Sequence, residues 1–197
     1  MPELPEVETI RSILEKSIVG KKITKVAVLM QNQFHGNAEN LIGKYITAVS
    51  RHGKVLAFEL NDASFISFHF KLSGQLLYAE NMNNAVYKNP IPLAQTNKMP
   101  GKSTRVIIYF SGGSGLFFNE MRMFGWVKYS TQIEGPRGVD ILSSQFTKDY
   151  FAKCLQKTRR AIKVVMLEQN AFAGIGNIYA NEALFEAQIH PETPANQ

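Results

Sequence analysis

The chain has 197 residues, 45% hydrophobic and 19% charged, and carries a formal net charge of +6. That length makes one large domain or two small ones able to bury a core, and the basic balance points first to a polyanionic partner such as nucleic acid. A single cysteine, Cys154, excludes an internal disulfide and a multi-cysteine zinc site; the four histidines lack ligand spacing, and no apolar run approaches the ~20 residues of a membrane span. The acidic, proline-bearing start does not read as a secretory signal, so a soluble cytoplasmic protein without membrane contact is expected.

After "MPELPE", the segment "VETIRSILEKSIVG" places Val7, Ile10, Ile13, Leu14 and Ile18 on one helical face, with Pro5 suited to the first turn and Gly20 to the end. Short stretches rich in β-branched and aromatic residues follow: "KITKVAVLM", "YITAVSRHG", "KVLAFEL", "SFISFHF", "GQLLYAE", "RVIIYFS", "GLFFNE" and "FGWVKYS". Their spacing and Gly/Asn/Asp punctuation predict an antiparallel sandwich or barrel. Between Glu80 and Arg105 the sequence is polar with little periodicity, which predicts a long mobile loop.

The pattern changes near "EGPRGVDIL". From Thr147 onward "TKDYFAKCLQK", "RRAIKVVMLEQN" and "NIYANEALFEAQI" read as three helices, with Gly174 and Gly176 separating the second from the third. The expected class is α+β: an N-terminal helix plus antiparallel β-sandwich over residues 1–132, then a partial helical domain over 133–197.

The first residues carry a chemical possibility. Removal of Met1 leaves Pro2 as a secondary amine; an α-amino group titrates near about 8, so part of it is neutral and nucleophilic at neutral pH. Attack on a carbon at the aldehyde oxidation level gives a Schiff base, and Glu3 stands beside that amine to move protons. The structural alternative is that Pro2 caps a helix and that Glu3 and Glu6 complement its dipole.

The string "PELPEVET" resembles the start of the formamidopyrimidine-DNA glycosylases, bacterial enzymes that excise oxidised purines. "RHGKVLAFEL", "SFHFKLSG", "NEMRMFGW" and "AFAGIGNIYANEALFEAQIHP" are similar, in order, to that family's lysine turn, histidine strand, Arg-x-Phe-Gly loop and helix-two-turn-helix motif. The resemblance implies an N-terminal catalytic β-sandwich and a partial helix-two-turn-helix DNA-binding domain. It implies a bifunctional glycosylase and abasic-site lyase of the bacterial cytoplasm or nucleoid. Its partner is double-stranded DNA bearing an oxidised purine or an abasic site, bound by a monomer.

Residue by residue, the resemblance makes Pro2 the nucleophile, Glu3 the proton shuttle and Lys54 a further catalytic and phosphate-binding group. Lys54, His69 and Asn177 would hold phosphates, and Glu6 and Lys163 the damaged base. Leu72, Arg122 and Phe124 would fill the void left by base extrusion, Leu72 standing where the family has methionine. The bland alternatives are a solvated Lys54, a structural His69, an Asn177 that only caps its helix, and a Phe124 buried beside Trp126. The family's acidic-proline pair before the arginine is replaced by Glu120 and Met121. Its C-terminal four-cysteine zinc finger has no counterpart, so no cofactor is expected. Truncation and these departures leave open a non-catalytic lesion binder or inactive fragment, and beyond it a β domain with only general nucleic-acid affinity.

Overall fold

The structure, a computed structural model, describes residues 2–92 and 96–197. The chain divides into two compact units: one comprises Pro2, Glu6–Arg51 and Val55–Glu134, the other Glu3–Pro5, His52–Lys54 and Gly135–Gln197.

Helix α1 spans Leu4–Ile18, with Glu6 in its first turn and Lys16 in its last, each matching the local sign of the helix dipole. Val7, Leu14 and Ile18 are buried in the first unit's core and Ile10 packs partly against it. Ile13, expected on the same face, is 57% exposed. It lies one 100° step from Leu14, on the flank of the apolar stripe rather than in it. Gly20, at φ +83°, turns the chain out of the helix in a conformation that glycine adopts without Cβ strain.

The strands of the first unit are β1 (Ile23–Val28), β2 (Phe34–His35), β3 (Ile46–His52), β4 (Val55–Leu60), β5 (Phe65–His69), β6 (Gln75–Ala79), β7 (Val86–Ile91), β8 (Thr96–Lys98), β9 (Thr104–Phe110), β10 (Gly115–Asn119) and β11 (Trp126–Ser130). Two sheets, ordered β1-β9-β10-β6 and β2-β11-β5-β4-β3, face each other across one core. Their pairings are antiparallel apart from the two-residue parallel contact of β11 with β2. Phe58, Phe68, Phe70 and Phe118 fill the space between the sheets, with Phe58 and Phe68 centroids 4.7 Å apart. Each such ring removed from water stabilises the sandwich by about 1.5–3 kcal/mol.

The segment between Glu80 and Arg105 is not the loop its composition predicts. Strands β7 and β8 pair antiparallel, Val86 opposite Lys98 and Ile91 opposite Thr96. Ala85, Ile91 and Met99 are buried against Ile107 and Phe117 in a second, smaller apolar cluster. Three widely spaced anchors, interrupted by prolines, leave no alternation to read. Leu93, Ala94 and Gln95, also in the segment expected to be a loop, lie outside the described residues.

The second unit holds β12 (Val139–Asp140), α2 (Lys148–Leu155), α3 (Ile162–Met166), β13 (Phe172–Ala173) and α4 (Asn177–Glu186). The Thr147 hydroxyl accepts from the Tyr150 N–H at 3.1 Å and starts α2. Phe172, fully buried, is ringed by Phe146, Tyr150 and Phe151 at centroid distances of 5.2–6.2 Å. Beside it β12 and β13 pair in parallel, Val139 with Phe172 and Asp140 with Ala173.

Candidate active site

Glu3 is completely buried, although it lies two residues from the start of the chain. Its carboxylate accepts from the backbone N–H of Ile178 at 3.0 Å and of Tyr179 at 3.4 Å, both in the first turn of α4. A buried carboxylate without donors is strongly unfavourable, and a helix start supplies unpaired N–H groups with a favourable dipole. Gly176, the N-cap of α4, makes the room: a Cβ there would lie 2.1 Å from the Glu3 Cδ. Gly174, at φ +115°, makes room likewise for Leu4, whose Cδ1 would be 2.2 Å from an added Cβ.

Asn177 is therefore not the cap of α4; Gly176 holds that position and Glu3 satisfies the amides. Asn177 is the first helical residue and is exposed. The Gly174–Gly176 bend is braced by Gln169. Its side-chain N–H groups donate to the carbonyls of Leu167 (3.0 Å) and Ile175 (2.7 Å), and its oxygen accepts from the Gly174 N–H (3.1 Å).

Lys54 occupies the two-residue turn between β3 and β4 and is half-buried rather than a fully solvated lysine. The turn is pinned by Asp140, whose Oδ2 accepts from the Gly53 N–H at 2.7 Å. Gly53 has φ +57° and would place a Cβ 3.2–3.3 Å from Pro136, Ala173 and Gly174. Lys163 lies in the first turn of α3, where its N–H donates to the Pro191 carbonyl at 3.2 Å. Glu3, the Lys54 turn, Lys163 and Asn177 all belong to the second unit.

Pro2, Glu6, His69, Leu72, Arg122 and Phe124 belong to the first. Pro2 is half-buried and Glu6 lies exposed in the first turn of α1; Met1 is outside the described residues. His69 ends β5, half-buried, with its ring 5.7 Å from Trp126. Its Nδ1 accepts from the Lys71 N–H at 3.0 Å, so in the neutral imidazole the ring proton sits on Nε2, which is a donor.

Leu72 is 42% exposed and Phe124 62% exposed, so Phe124 is not a core aromatic. Arg122 is exposed between them in sequence, on the turn of residues 121–125. That turn is organised from below by Glu120, fully buried, whose carboxylate accepts from the Arg122 N–H at 2.9 Å and the Gly125 N–H at 2.7 Å. Glu120, Asp140 and Gln169 support these turns through side-chain bonds to backbone amides and carbonyls that sequence reading did not assign. Only Glu120, an acid between the apolar runs of "GLFFNEMRMF", carries a signal in the sequence, and that signal says buried partner without saying which.

Cys154 is half-buried against the second unit's apolar cluster. Among the described residues no three His, Cys, Asp or Glu side chains gather as candidate metal ligands. No helix among the described residues is long and apolar enough to cross a membrane.

A two-sheet sandwich led by a helix, a small helical unit, and a buried acid that directly follows Pro2 in the chain define a class with known members. Residues 1–127 match the formamidopyrimidine-DNA glycosylase N-terminal domain, and residues 137–197 match that family's H2TH domain. The chain is 35% identical over 208 residues to the formamidopyrimidine-DNA glycosylase of Listeria innocua, covering 100% of this chain and 70% of the relative. It is 36% identical to that of Trichormus variabilis, covering 98% and 70%. Among solved structures, the Lactococcus lactis formamidopyrimidine-DNA glycosylase bound non-covalently to DNA with an abasic site superposes with TM-score 0.80 at 31% identity, covering 100% of this chain and 72% of that one. The Thermus thermophilus protein does so with TM-score 0.79 at 30% identity, covering 99% and 68%. The chain belongs to the formamidopyrimidine-DNA glycosylase family.

Proposed function

We propose that this chain, a DNA glycosylase of base excision repair by family, removes oxidised purines such as 8-oxoguanine from duplex DNA and cleaves the strand at the resulting abasic site. The observation that carries the reading is the buried Glu3 carboxylate, seated on the α4 amides and covalently next to Pro2. A buried acid on the residue that follows the amine in the chain is a candidate for the proton transfers that covalent catalysis requires.

The Pro2 nitrogen, free once Met1 is removed, donates its lone pair to C1′ of the damaged nucleotide. The electrons of the glycosidic bond leave with the base, which takes up the proton lost from the alkylated Pro2 nitrogen. A proton delivered to the sugar ring oxygen by Glu3 opens the ring and yields an iminium on Pro2. Loss of a C2′ proton expels the 3′ phosphate, and a second elimination expels the 5′ phosphate. Hydrolysis of the iminium returns the amine. Extruding the base costs a few kcal/mol of unstacking, which phosphate and wedge contacts offset.

Lys54, His69 and Asn177 are proposed to grip phosphates around the lesion, Lys54 through its charge and His69 through its Nε2–H. Asn177 does so from the start of α4, where the helix dipole favours anions. Glu6 and Lys163 are proposed to line the damaged-base site. Leu72 and Phe124 enter the stack as apolar wedges, and Arg122 hydrogen-bonds the orphaned cytosine. The test is strand cleavage of a duplex with one 8-oxoguanine opposite cytosine by the parent, Glu3→Gln and Pro2→Gly. Cleavage by the parent, abolished by the first change and impaired by the second, supports the reading; indifference to both contradicts it.

A further inference from the structure

Two turns of the first unit carry the wedge candidates: residues 70–74 with Leu72, and residues 121–125 with Arg122 and Phe124. Leu72, Met121, Met123 and Phe124 all present apolar side chains to solvent, which an ordinary surface turn avoids. Beneath them the polar groups are buried. The Glu120 Oε1 accepts from the Ser73 hydroxyl as well as from the Arg122 N–H. The Ser73 Oγ, itself buried, accepts from that same Arg122 N–H at 3.1 Å. On the other oxygen, the Gly125 N–H leaves no room for a side chain: a Cβ there would lie 2.6 Å from Oε2. The buried Gln33 amide donates to the Met123 carbonyl at 2.8 Å, and Met123 is held at φ +59°. Arg105 Nε donates to the Glu120 carbonyl at 2.7 Å.

A hydrocarbon of the same volume fills a core at lower cost than a carboxylate does. The contribution of Glu120 is therefore geometric. It fixes a turn that has few apolar contacts of its own, and through Ser73 it fixes the neighbouring turn to the same point.

We propose that Glu120 is a positioning residue which, through Ser73, joins the Leu72 turn and the Arg122–Phe124 turn into one pre-formed wedge for engaging damaged duplex. The inference rests on the proposed insertion of those three side chains into DNA. A wedge ordered before contact spares the complex the loss of loop entropy on binding, so the linkage acts on affinity for the opened duplex rather than on bond cleavage.

The experiment compares parent, Ser73→Ala and Glu120→Gln in binding to a duplex with one tetrahydrofuran abasic analogue and to the undamaged duplex. Single-turnover cleavage of an abasic duplex at saturating protein is measured alongside. Each variant is expected to raise the Kd for the tetrahydrofuran duplex about tenfold, as for loss of a buried charge-assisted hydrogen bond. The undamaged-duplex Kd and the saturated rate move far less. In the parent alone, the Arg122 and Gly125 amides exchange slowly with solvent despite their exposed turn. An unchanged tetrahydrofuran Kd, equal losses on both duplexes, or rapid exchange of those amides overturns the proposal even if the parent acts as a glycosylase. A parent with no preference for the damaged duplex overturns the functional reading and the wedge with it.

Discussion

The Glu3 carboxylate accepts from the Ile178 N–H at 3.0 Å, so the second residue after the initiator methionine is tied to a helix more than 170 positions later. Glu3 is thereby held within the second unit by backbone amides distant in sequence. Replacing Glu3 by Gln keeps an acceptor for one amide but removes the proton-carrying carboxyl. Base excision is expected to fall by about 10²–10⁴-fold, the usual contribution of a positioned acid–base group, and folding stability by about 1–3 kcal/mol from the amide left without its carboxylate. Gel-based cleavage and thermal unfolding of the same samples check both halves.

Gly176 is required by that arrangement. An added Cβ would overlap the Glu3 carboxylate, 2.1 Å from its carbon. Gly176→Ala is expected to cost about 1–3 kcal/mol of stability from overpacking and to lower activity as strongly as Glu3→Gln. Urea unfolding with a parallel cleavage assay tests it; an active, fully stable Gly176→Ala protein contradicts the placement of Glu3.

Leu72→Ala and Phe124→Ala remove side chains that are partly exposed, Leu72 by 42% and Phe124 by 62%. Stability is expected to stay within about 0.5 kcal/mol of the parent. Affinity for a lesion duplex falls about tenfold, as for loss of an inserted anchor, and more than the rate on pre-formed abasic sites. Equal effects on the two readouts argue against insertion.

At the other end of the sandwich, Lys44 Nζ donates to Asp62 (2.6 Å), Ser64 (3.2 Å) and Tyr129 (2.5 Å). The hydrogen bond from Lys44, helped by that from Ser64, pulls the Asp62 carboxyl from 3.8 to about 2. A carboxyl depressed in the folded state stabilises it above the unfolded value and loses that contribution as pH falls through the folded one. The stability gap between parent and Asp62→Asn is therefore expected to be full above about pH 4 and to close toward pH 2, read from urea midpoints across the acid range. A gap independent of pH contradicts the pairing.

Strands β1, β3–β6 and β9–β11 are legible in the sequence because each is a short run rich in β-branched and aromatic residues bounded by turn residues, although β4 and β10 are buried on both faces and show no alternation. The hairpin of β7 and β8 is not, since Ala85, Ile91 and Met99 anchor it at intervals that match neither period. Pro2, Glu3 and the glycines of "AFAGIGN" announce themselves by position and type. Glu120 does not: read from sequence it stands, with Met121, where the family has an acidic-proline pair, whereas the fold uses it to hold Arg122 and Gly125 from beneath. Asn177 looks like a cap because it follows a glycine, yet its helix is capped from a distance by Glu3. Long-range partners of this kind leave no periodic trace.

The proposed function turns on a covalent intermediate on the Pro2 nitrogen. Incubating the protein with a duplex bearing one abasic site, or one 8-oxoguanine opposite cytosine, and adding borohydride reduces any iminium to a stable amine. The account predicts a protein–DNA adduct on both substrates, with intact mass showing loss of Met1 and peptide mapping placing the DNA on Pro2. No adduct from protein whose Met1 is confirmed absent, or an adduct mapped to a lysine, would contradict it.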